Sequence, residues 1–195
     1  MGIKQKKLKT QNSKLKTQNS QAVAIAAVLS SVLSSVLSSC AASPRLLNFP
    51  FDPGGRSLNS LADEVTPQIA GRYIVFVSDR QGKQDVYLFD GVLRQLIDLP
   101  GLNSLDAIAS DPSVSRDGRY IVFTGTRKGR VDIYLYDRET TQLRNLTQNL
   151  DAFVRRPSIS ADGNTIAFES SANGQWDILL VRRSGQPLDV PTAPR

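Results

Sequence analysis

The strongest constraint on this chain is a segment of about 45 residues that occurs three times in its C-terminal part. The copies align on a proline, and each then carries a phenylalanine and an aspartate in matching slots: Pro67, Pro112 and Pro157; Phe76, Phe123 and Phe168; Asp85, Asp132 and Asp177. A repeat of this length is one supersecondary unit that cannot bury its own apolar faces. The sequence therefore predicts stacked copies rather than one continuous core.

Each copy is predicted to hold four short strands. The first begins at the proline, as in "PSVS", and ends at a tight turn that reads Asp-Gly in the second and third copies. The second is a β-branched and aromatic run ("RYIVFV", "RYIVFT", "NTIAFE"), and the third follows a Gly-containing loop ("DVYLFD", "DIYLYD", "DILLVR"). A weaker fourth strand is expected at "RQLIDL", "QLRNLT" and "PLDV". No helical period follows Cys40, which predicts an all-β class.

The second and third copies also carry a family resemblance. "PSVSRDGRYIVF" (112–123) and "PSISADGNTIAF" (157–168), each followed by "DIYLYD" or "DILLV", resemble TolB-like repeats of the WD40-like β-propeller class. The resemblance implies four-stranded antiparallel blades around an axis, at 67–111, 112–156 and 157–195, and a role in protein contacts. The predicted fold is thus a partial propeller of three four-stranded sheets.

Three blades leave two blade faces without a neighbour, because closed propellers have about four to eight blades. Three outcomes are open. Two chains pair to close a six-bladed ring, a different partner caps the faces, or residues 46–61 fold over one end. The homodimer is the first hypothesis, since it needs no further component.

The N-terminal 39 residues have the pattern of a secretory signal peptide. Six lysines precede residue 17, and an apolar stretch from Ala22 leads into three Val-Leu-Ser-Ser units. The apolar stretch to Leu37 would span only about 24 Å as a helix, against about 30 Å for a bilayer core. A cleaved segment is therefore expected.

The sequence Leu37, Ser38, Ser39, Cys40 resembles the lipobox of bacterial lipoproteins. The resemblance implies cleavage before Cys40 and lipid attachment to its sulfur, so that residues 40–66 tether the blades to a membrane. Ala41, where aspartate would resemble an inner-membrane retention signal, favours the periplasmic face of the outer membrane. The alternative is an ordinary buried cysteine at the end of a signal anchor.

Composition excludes several functions. The formal charge of +6 belongs to the leader, because the chain from Cys40 onward balances its cations and carboxylates, and this argues against nucleic acid. The absence of histidine excludes Ser-His-Asp and Cys-His centres and imidazole-based zinc sites. We therefore expect no catalysis and no cofactor.

The repeated carboxylates have structural interpretations. Asp85, Asp132 and Asp177 are expected to fix the hairpin that precedes the third strand, with calcium ligation as the alternative; one carboxylate per blade does not make a calcium loop. Asp117-Gly118 and Asp162-Gly163 are expected to form tight turns, because glycine tolerates positive φ.

Three other features have a contact interpretation beside the structural one. Trp176, the only tryptophan, is expected to pack between strands, with a stacking platform or a partner hot spot as the alternative. Arg155-Arg156 and Arg182-Arg183 are expected to be solvated, or else to meet an acidic partner. Together these features favour an envelope-anchored interaction scaffold. The alternatives are a ligand- or saccharide-sensing propeller and an accessory subunit of an envelope enzyme.

Overall fold

The first two repeats each form a four-stranded antiparallel sheet. The computed structural model describes residues 52–104 and 106–189. Blade 1 consists of β1 (Glu64–Ala70), β2 (Tyr73–Ser78), β3 (Asp85–Asp90) and β4 (Gln95–Ile97). Blade 2 consists of β5 (Ile108–Val114), β6 (Tyr120–Arg127), β7 (Arg130–Asp137) and β8 (Gln142–Asn145). The strand order follows the chain in both sheets, which confirms the predicted all-β blades.

Blade 3 has three strands: β9 (Val154–Ile159), β10 (Thr165–Ser170) and β11 (Asp177–Arg182). In the described part of "PLDV", the predicted fourth strand is reduced to one bridge between Val181 and Pro187. The Leu188 N–H also donates to the Leu180 carbonyl at 2.8 Å. Over its described residues, blade 3 is thus narrower than the other two.

The repeat appears in the register of the strands. Phe76 pairs with Tyr87 across β2 and β3, and Phe123 pairs with Tyr134 across β6 and β7. The rings of each pair are stacked, with centroids 5.7 and 5.6 Å apart. Leu179 takes the tyrosine position in blade 3. Aromatic cross-strand pairs of this kind stabilise antiparallel sheets.

The aligned prolines lie inside the first strand of each blade rather than at its start. Each first strand has an irregularity in its pairing at the proline. The residue before each proline has positive φ: Thr66 at 49°, Asp111 at 49° and Arg156 at 51°. Proline has no N–H for the sheet ladder, so a β-bulge at this point lets the strand continue past it.

Two apolar cores lie between successive blades. The first contains Val75 and Leu88 of blade 1 with Ile121 and Tyr136 of blade 2. The second contains, from blades 2 and 3, Val122, Ile133, Leu135, Ile166 and Phe168. Blade 2 therefore packs against blade 1 with one face and against blade 3 with the other, as the repeat predicts.

The connections lie at two ends of the stack. We call the end formed by residues 71–72, 91–94, 115–119, 138–141, 160–164 and 183–186 the turn end, because the first strand of each blade turns there into the second. The loops between the second and third strands lie at the opposite end, the hairpin end. Residues 52–63 enter β1 from the hairpin end.

Candidate interaction surfaces

The two blade junctions show what each side of a blade is built to contact. Tyr73 of blade 1 lies against Gly118 in the turn of blade 2, where an added β-carbon would be 2.6 Å from the ring. The Arg72 guanidinium lies 5.5 Å from the Tyr73 ring centroid, and that of Arg138, from blade 2, lies 5.6 Å from it. The junction thus holds a tyrosine ring between two arginines.

The same arrangement recurs one blade further along. Tyr120 is contacted by Arg119 of its own blade at 4.8 Å and by Arg183 of blade 3 at 4.4 Å. In each junction the arginine of the second strand also binds an aspartate in its own blade; Arg119 donates from Nε and Nη2 to the two oxygens of Asp137, at 2.9 Å each. Blade 3 has Thr165 at the tyrosine position, so its outer side has no tyrosine ring for two arginines to contact.

The outer face of blade 3 is apolar and exposed. Ile178 is 65% exposed, whereas Ile133 and Val86, which hold the same slot in blades 2 and 1, are fully buried by the next blade. Phe153 is also exposed but lies elsewhere, in a groove that Gly129, Arg130 and Val131 of blade 2 also line. This face has the composition of a blade junction without a following blade in the described chain.

Trp176 borders this face and does not pack between strands, which corrects our prediction. Its side chain is 47% exposed, and the Arg155 guanidinium lies over its ring at 3.8 Å from the centroid. Arg155 Nε donates to Glu169 at 2.6 Å. This hydrogen bond lowers the pKa of Glu169. Trp176 directly precedes β11 at the edge of the sheet, which leaves its indole exposed. The ion pair with Glu169 fixes Arg155, and the Arg155 guanidinium orients the indole.

The outer face of blade 1 is partly covered by the chain itself. The Arg80 guanidinium lies over Phe76 and Tyr87, at 5.2 and 4.7 Å from the ring centroids. It also donates to the carbonyls of Gly55, Ser57 and Leu58 and pairs with Glu64 at 2.7 Å. Arg80 thereby fastens residues 55–58 beside the aromatic part of this face.

The innermost strand of blade 1 stays open. Ile69 is 67% exposed, whereas Val114, its counterpart in blade 2, is 1% exposed. The Val114 N–H donates to Gln68 Oε1 of the preceding blade at 3.0 Å. The two ends of the stack therefore differ, since blade 1 is partly capped and blade 3 is not.

The arginine pairs are in different environments. Arg155 and Arg156 both contact Glu169, so neither is simply solvated. Arg182 is exposed, and Arg183 is stacked on Tyr120. Among residues 52–104 and 106–189, neither Arg182 nor Arg183 forms an ion pair.

The three aspartates that begin the third strands fix the preceding hairpins, as predicted. Each is contacted by the residue two positions before it: Asp85 by Lys83 at 2.7 Å, Asp132 by Arg130 Nε at 3.1 Å, and Asp177 by Gln175 Nε2 at 3.0 Å. Asp132 also accepts from the Thr147 hydroxyl at 3.0 Å. The three positions lie in separate blades, and no group of three or more metal-ligating acidic, histidine or cysteine side chains occurs in the part of the chain that the structure describes.

The Asp-Gly pairs form tight turns, also as predicted. Gly118 and Gly163 both have φ of 71°. Asp162 accepts from the Ser160 hydroxyl and from the Asn164 N–H, and these bonds lower the pKa of Asp162 to about 2. The hydroxyl of Ser160 in turn accepts from the Thr165 N–H, so the turn is closed by side chains as well as by glycine.

The predicted signal peptide and the lipobox Leu37, Ser38, Ser39, Cys40 lie outside the described residues. In the described ranges, no helix is long and apolar enough to cross a membrane.

Sequence reasoning missed two features of these surfaces. Arg80 was not distinguished from other exposed cations, because its partners are backbone carbonyls of a non-repeating segment. The charge reversal at the end of the third strand was visible in the alignment of the repeats. The position that holds Asp90 in blade 1 and Asp137 in blade 2 holds Arg182 in blade 3. Comparing the repeats residue by residue would have found the second feature.

No protein-family model matches the chain, and no curated protein matches it significantly. Solved structures do. TolB from Acinetobacter baumannii is 24% identical with a TM-score of 0.50, and the match covers 64% of this chain and 31% of that one. A putative TolB from Agrobacterium tumefaciens is 25% identical with a TM-score of 0.48, covering 62% and 43%. The β-propeller domain of the Trilobed protease from Pyrococcus furiosus is 18% identical with a TM-score of 0.49, covering 69% and 43%.

The likeness to the Acinetobacter baumannii structure shows the fold: this chain forms blades of a TolB-like β-propeller. The chain spans about a third of that protein's length. The predicted partial propeller is thereby confirmed.

Proposed function

We propose that this chain is a non-catalytic protein-interaction scaffold, held outside the cytoplasm by a lipid on Cys40. The observation that carries the proposal is the exposure of Ile178 on a blade face whose counterparts are buried in both preceding blades. An apolar face of this kind on a soluble module marks a contact site.

The chemistry of this face supports a protein partner. Trp176, Arg155 and Ile178 lie on or beside it, and aromatic residues and arginine are enriched at interface hot spots. Stacking on Trp176 and pairing with Glu169 fix the Arg155 side chain before any partner arrives. A partner would therefore lose less conformational entropy on contact.

The proposed location rests on the leader. Basic, apolar and small-residue segments precede the Leu-Ser-Ser-Cys sequence in the order of a lipoprotein signal. Two or more acyl chains on Cys40 would hold the protein on a membrane stably, whereas one myristoyl chain gives only marginal binding. Palmitate labelling tests this: label is expected on the native chain and not on Cys40→Ser, and undiminished label on the variant would refute the anchor.

The absence of histidine supports a non-catalytic role, because histidine is the most frequent general acid or base. The face that carries the proposal also serves contact rather than chemistry: its charged groups, Arg155 and Glu169, are paired with one another.

Site-specific photo-crosslinking in native membranes tests the scaffold. A photoreactive residue at Ile178 is expected to capture a protein partner, either a second copy of this chain or a distinct envelope protein. The same residue at Val92, which is equally exposed but lies at the turn end, is expected to capture neither. Capture of the same protein from both positions, or of none from Ile178, would contradict the proposal.

A second copy of this chain is the partner that the blade count favours. Two sets of three blades would close a six-bladed ring by placing blade 3 of each copy beside blade 1 of the other. Residues 55–58 and Arg80 lie beside the aromatic part of blade 1. In a six-bladed ring they would therefore become part of the junction between the two copies. Sedimentation of the full chain in detergent is expected to give a dimer that both Ile178→Glu and Ile69→Glu dissociate. A monomer at micromolar concentration would exclude ring closure and leave the envelope partner.

A further inference from the structure

Blade 3 breaks a charge pattern that blades 1 and 2 share. In those blades an aspartate ends the third strand and binds an arginine at the start of the second: Asp90 with Arg72, and Asp137 with Arg119. In blade 3 the corresponding residues are Arg182 and Asn164. The carboxylate of the repeat is thus replaced by a cation, and the arginine it neutralised is replaced by an amide.

Arg144, Arg182 and Arg183, which we call the arginine cluster, gather at the turn of blade 3. Arg144 of β8 donates from Nη2 to the Arg183 carbonyl at 2.7 Å, which brings this side chain from blade 2 to the turn of blade 3. Across the two described ranges, Arg144, Arg182 and Arg183 form no ion pair. Holding like charges together without an anion is unfavourable, so the cluster favours an external anion.

The carboxylates of the turn end are already engaged. Arg72 holds the pKa of Asp90 at about 2, and the Arg119 hydrogen bond lowers the pKa of Asp137. Glu139 pairs with Arg119, and Asp117 accepts from Ser115. Asp162 accepts from Ser160 and Asn164, and none of these five carboxylates forms an ion pair with the arginine cluster.

A groove adjoins this cluster at the outer rim of the stack, between β8 and the turn at 183–186. Its volume is about 510 Å³. Its polar lining includes Arg144, Asn145, Gln148, Asn149 and Ser184, together with Leu143 and Leu146, and no carboxylate is among its lining residues. Guanidinium, amide and hydroxyl groups all supply hydrogen-bond donors for an anion.

Arg183 is held in place beside the groove. Its guanidinium lies 4.4 Å from the centroid of the Tyr120 ring, and Ser184 and Gly185, the next two residues, line the groove itself. Stacking on an aromatic ring orients the planar fork of a guanidinium, which can then bind a carboxylate through two parallel hydrogen bonds. The Arg119–Asp137 pair shows this geometry in the same fold.

We propose that this rim groove, through Arg144 in its lining and Arg183 in the adjoining turn, binds a carboxylate-rich segment of a partner protein. A protein segment fits this groove because the side-chain amides of Asn145, Gln148 and Asn149 can pair with a peptide backbone while Arg144 binds a carboxylate.

Fluorescence anisotropy of a labelled octaglutamate peptide with the full chain in detergent tests the groove. The double variant Arg144→Gln/Arg183→Gln is expected to weaken binding at least about tenfold, since each lost charge-assisted hydrogen bond contributes appreciably. Arg183→Lys keeps the charge but loses the planar fork. Its affinity is therefore expected to lie between those of the native chain and the double variant. An octaglutamine peptide is expected not to bind.

The control is Arg56→Gln/Arg127→Gln, which removes the same charge at the hairpin end and is expected to change the dissociation constant less than about twofold. Equal weakening by the control would show unspecific attraction and overturn the site. Tighter binding to vesicles that contain phosphatidylglycerol, or to inorganic polyphosphate, with the same dependence on Arg183, would overturn the protein partner. None of these results depends on crosslinking from Ile178, so the groove and the scaffold face fail separately.

Discussion

The ring of Tyr120 lies directly against Gly163 in the turn of the next blade, where a β-carbon would be only 2.5 Å from the ring Cδ2. Gly163 also has φ of 71°, a conformation that residues with a β-carbon rarely adopt. One glycine therefore satisfies both the turn of blade 3 and the close packing of blade 2 on it.

Gly163→Ala is expected to destabilise the fold strongly, because the new methyl group meets the Tyr120 ring and the backbone is strained. The loss in the free energy of unfolding should be about 2–4 kcal/mol, measured by chemical denaturation. Gly129→Ala is the matched control: its φ of 79° is similar, but no atom lies within 4 Å of the added carbon. Gly129→Ala should lower the free energy of unfolding by only about 1 kcal/mol, from backbone strain alone. Equal losses would contradict the packing argument.

Repeat-equivalent isoleucines should respond differently to truncation. Ile133→Ala removes a fully buried side chain between blades and should lower the free energy of unfolding by about 2–5 kcal/mol. Ile178→Ala removes an exposed one and should change it by no more than about 0.5 kcal/mol in the monomer. A large loss from Ile178→Ala in a chain shown by sedimentation to be monomeric would mean that this face is covered within the chain.

Arg80→Met should release the segment before β1. The variant removes the donors to Gly55, Ser57 and Leu58 and leaves Glu64 without its cation, at a cost of roughly 2–4 kcal/mol. Hydrogen exchange is expected to rise in residues 52–64. The control is Arg127→Met at the equivalent position of blade 2, where no ion pair is formed within the described residues. Unchanged exchange in the Arg80 variant would show that the segment is held by other contacts.

Asp162→Asn should lower stability in a pH-dependent way. The hydrogen bond from Ser160 lowers the folded pKa of Asp162 from its ordinary 3.8 to about 2, so the charged form stabilises the turn above about pH 4. That contribution is lost as the pH falls through 2, where the native carboxyl is also neutral. The difference between native and variant chains in denaturation should therefore be present at pH 6 and shrink towards pH 2. A difference that is constant with pH would assign the effect to the shape of the turn instead.

Much of the fold was predictable because it is encoded in local patterns. The β-branched runs gave the second and third strands, and Gly118 and Gly163 gave the turns between the first and second strands. The first strands were placed too late, at Pro67, Pro112 and Pro157, because a proline normally ends ladder pairing and a bulge that carries the strand past it has no clear sequence signal.

The candidate surfaces were less predictable, as Trp176 and Arg183 show. Burial of a tryptophan was expected on average, but Trp176 precedes the last strand of a sheet that no described blade covers. Arg183 was expected to be solvated, yet it packs on a tyrosine 63 positions earlier in the chain, an approach that depends on how blade 3 lies against blade 2.

By itself the sequence determined the repeated unit, which is a blade of about 45 residues with its turns and its alternating apolar positions. It also showed that this unit occurs three times in the given chain. The tertiary structure decided which of those equivalent positions are covered. Val86, Ile133 and Ile178 occupy one slot, yet only the last is open to solvent. The physical reason is that strand formation depends on neighbouring residues in the chain, whereas burial depends on the blade that stands alongside, and no described blade stands beyond blade 3.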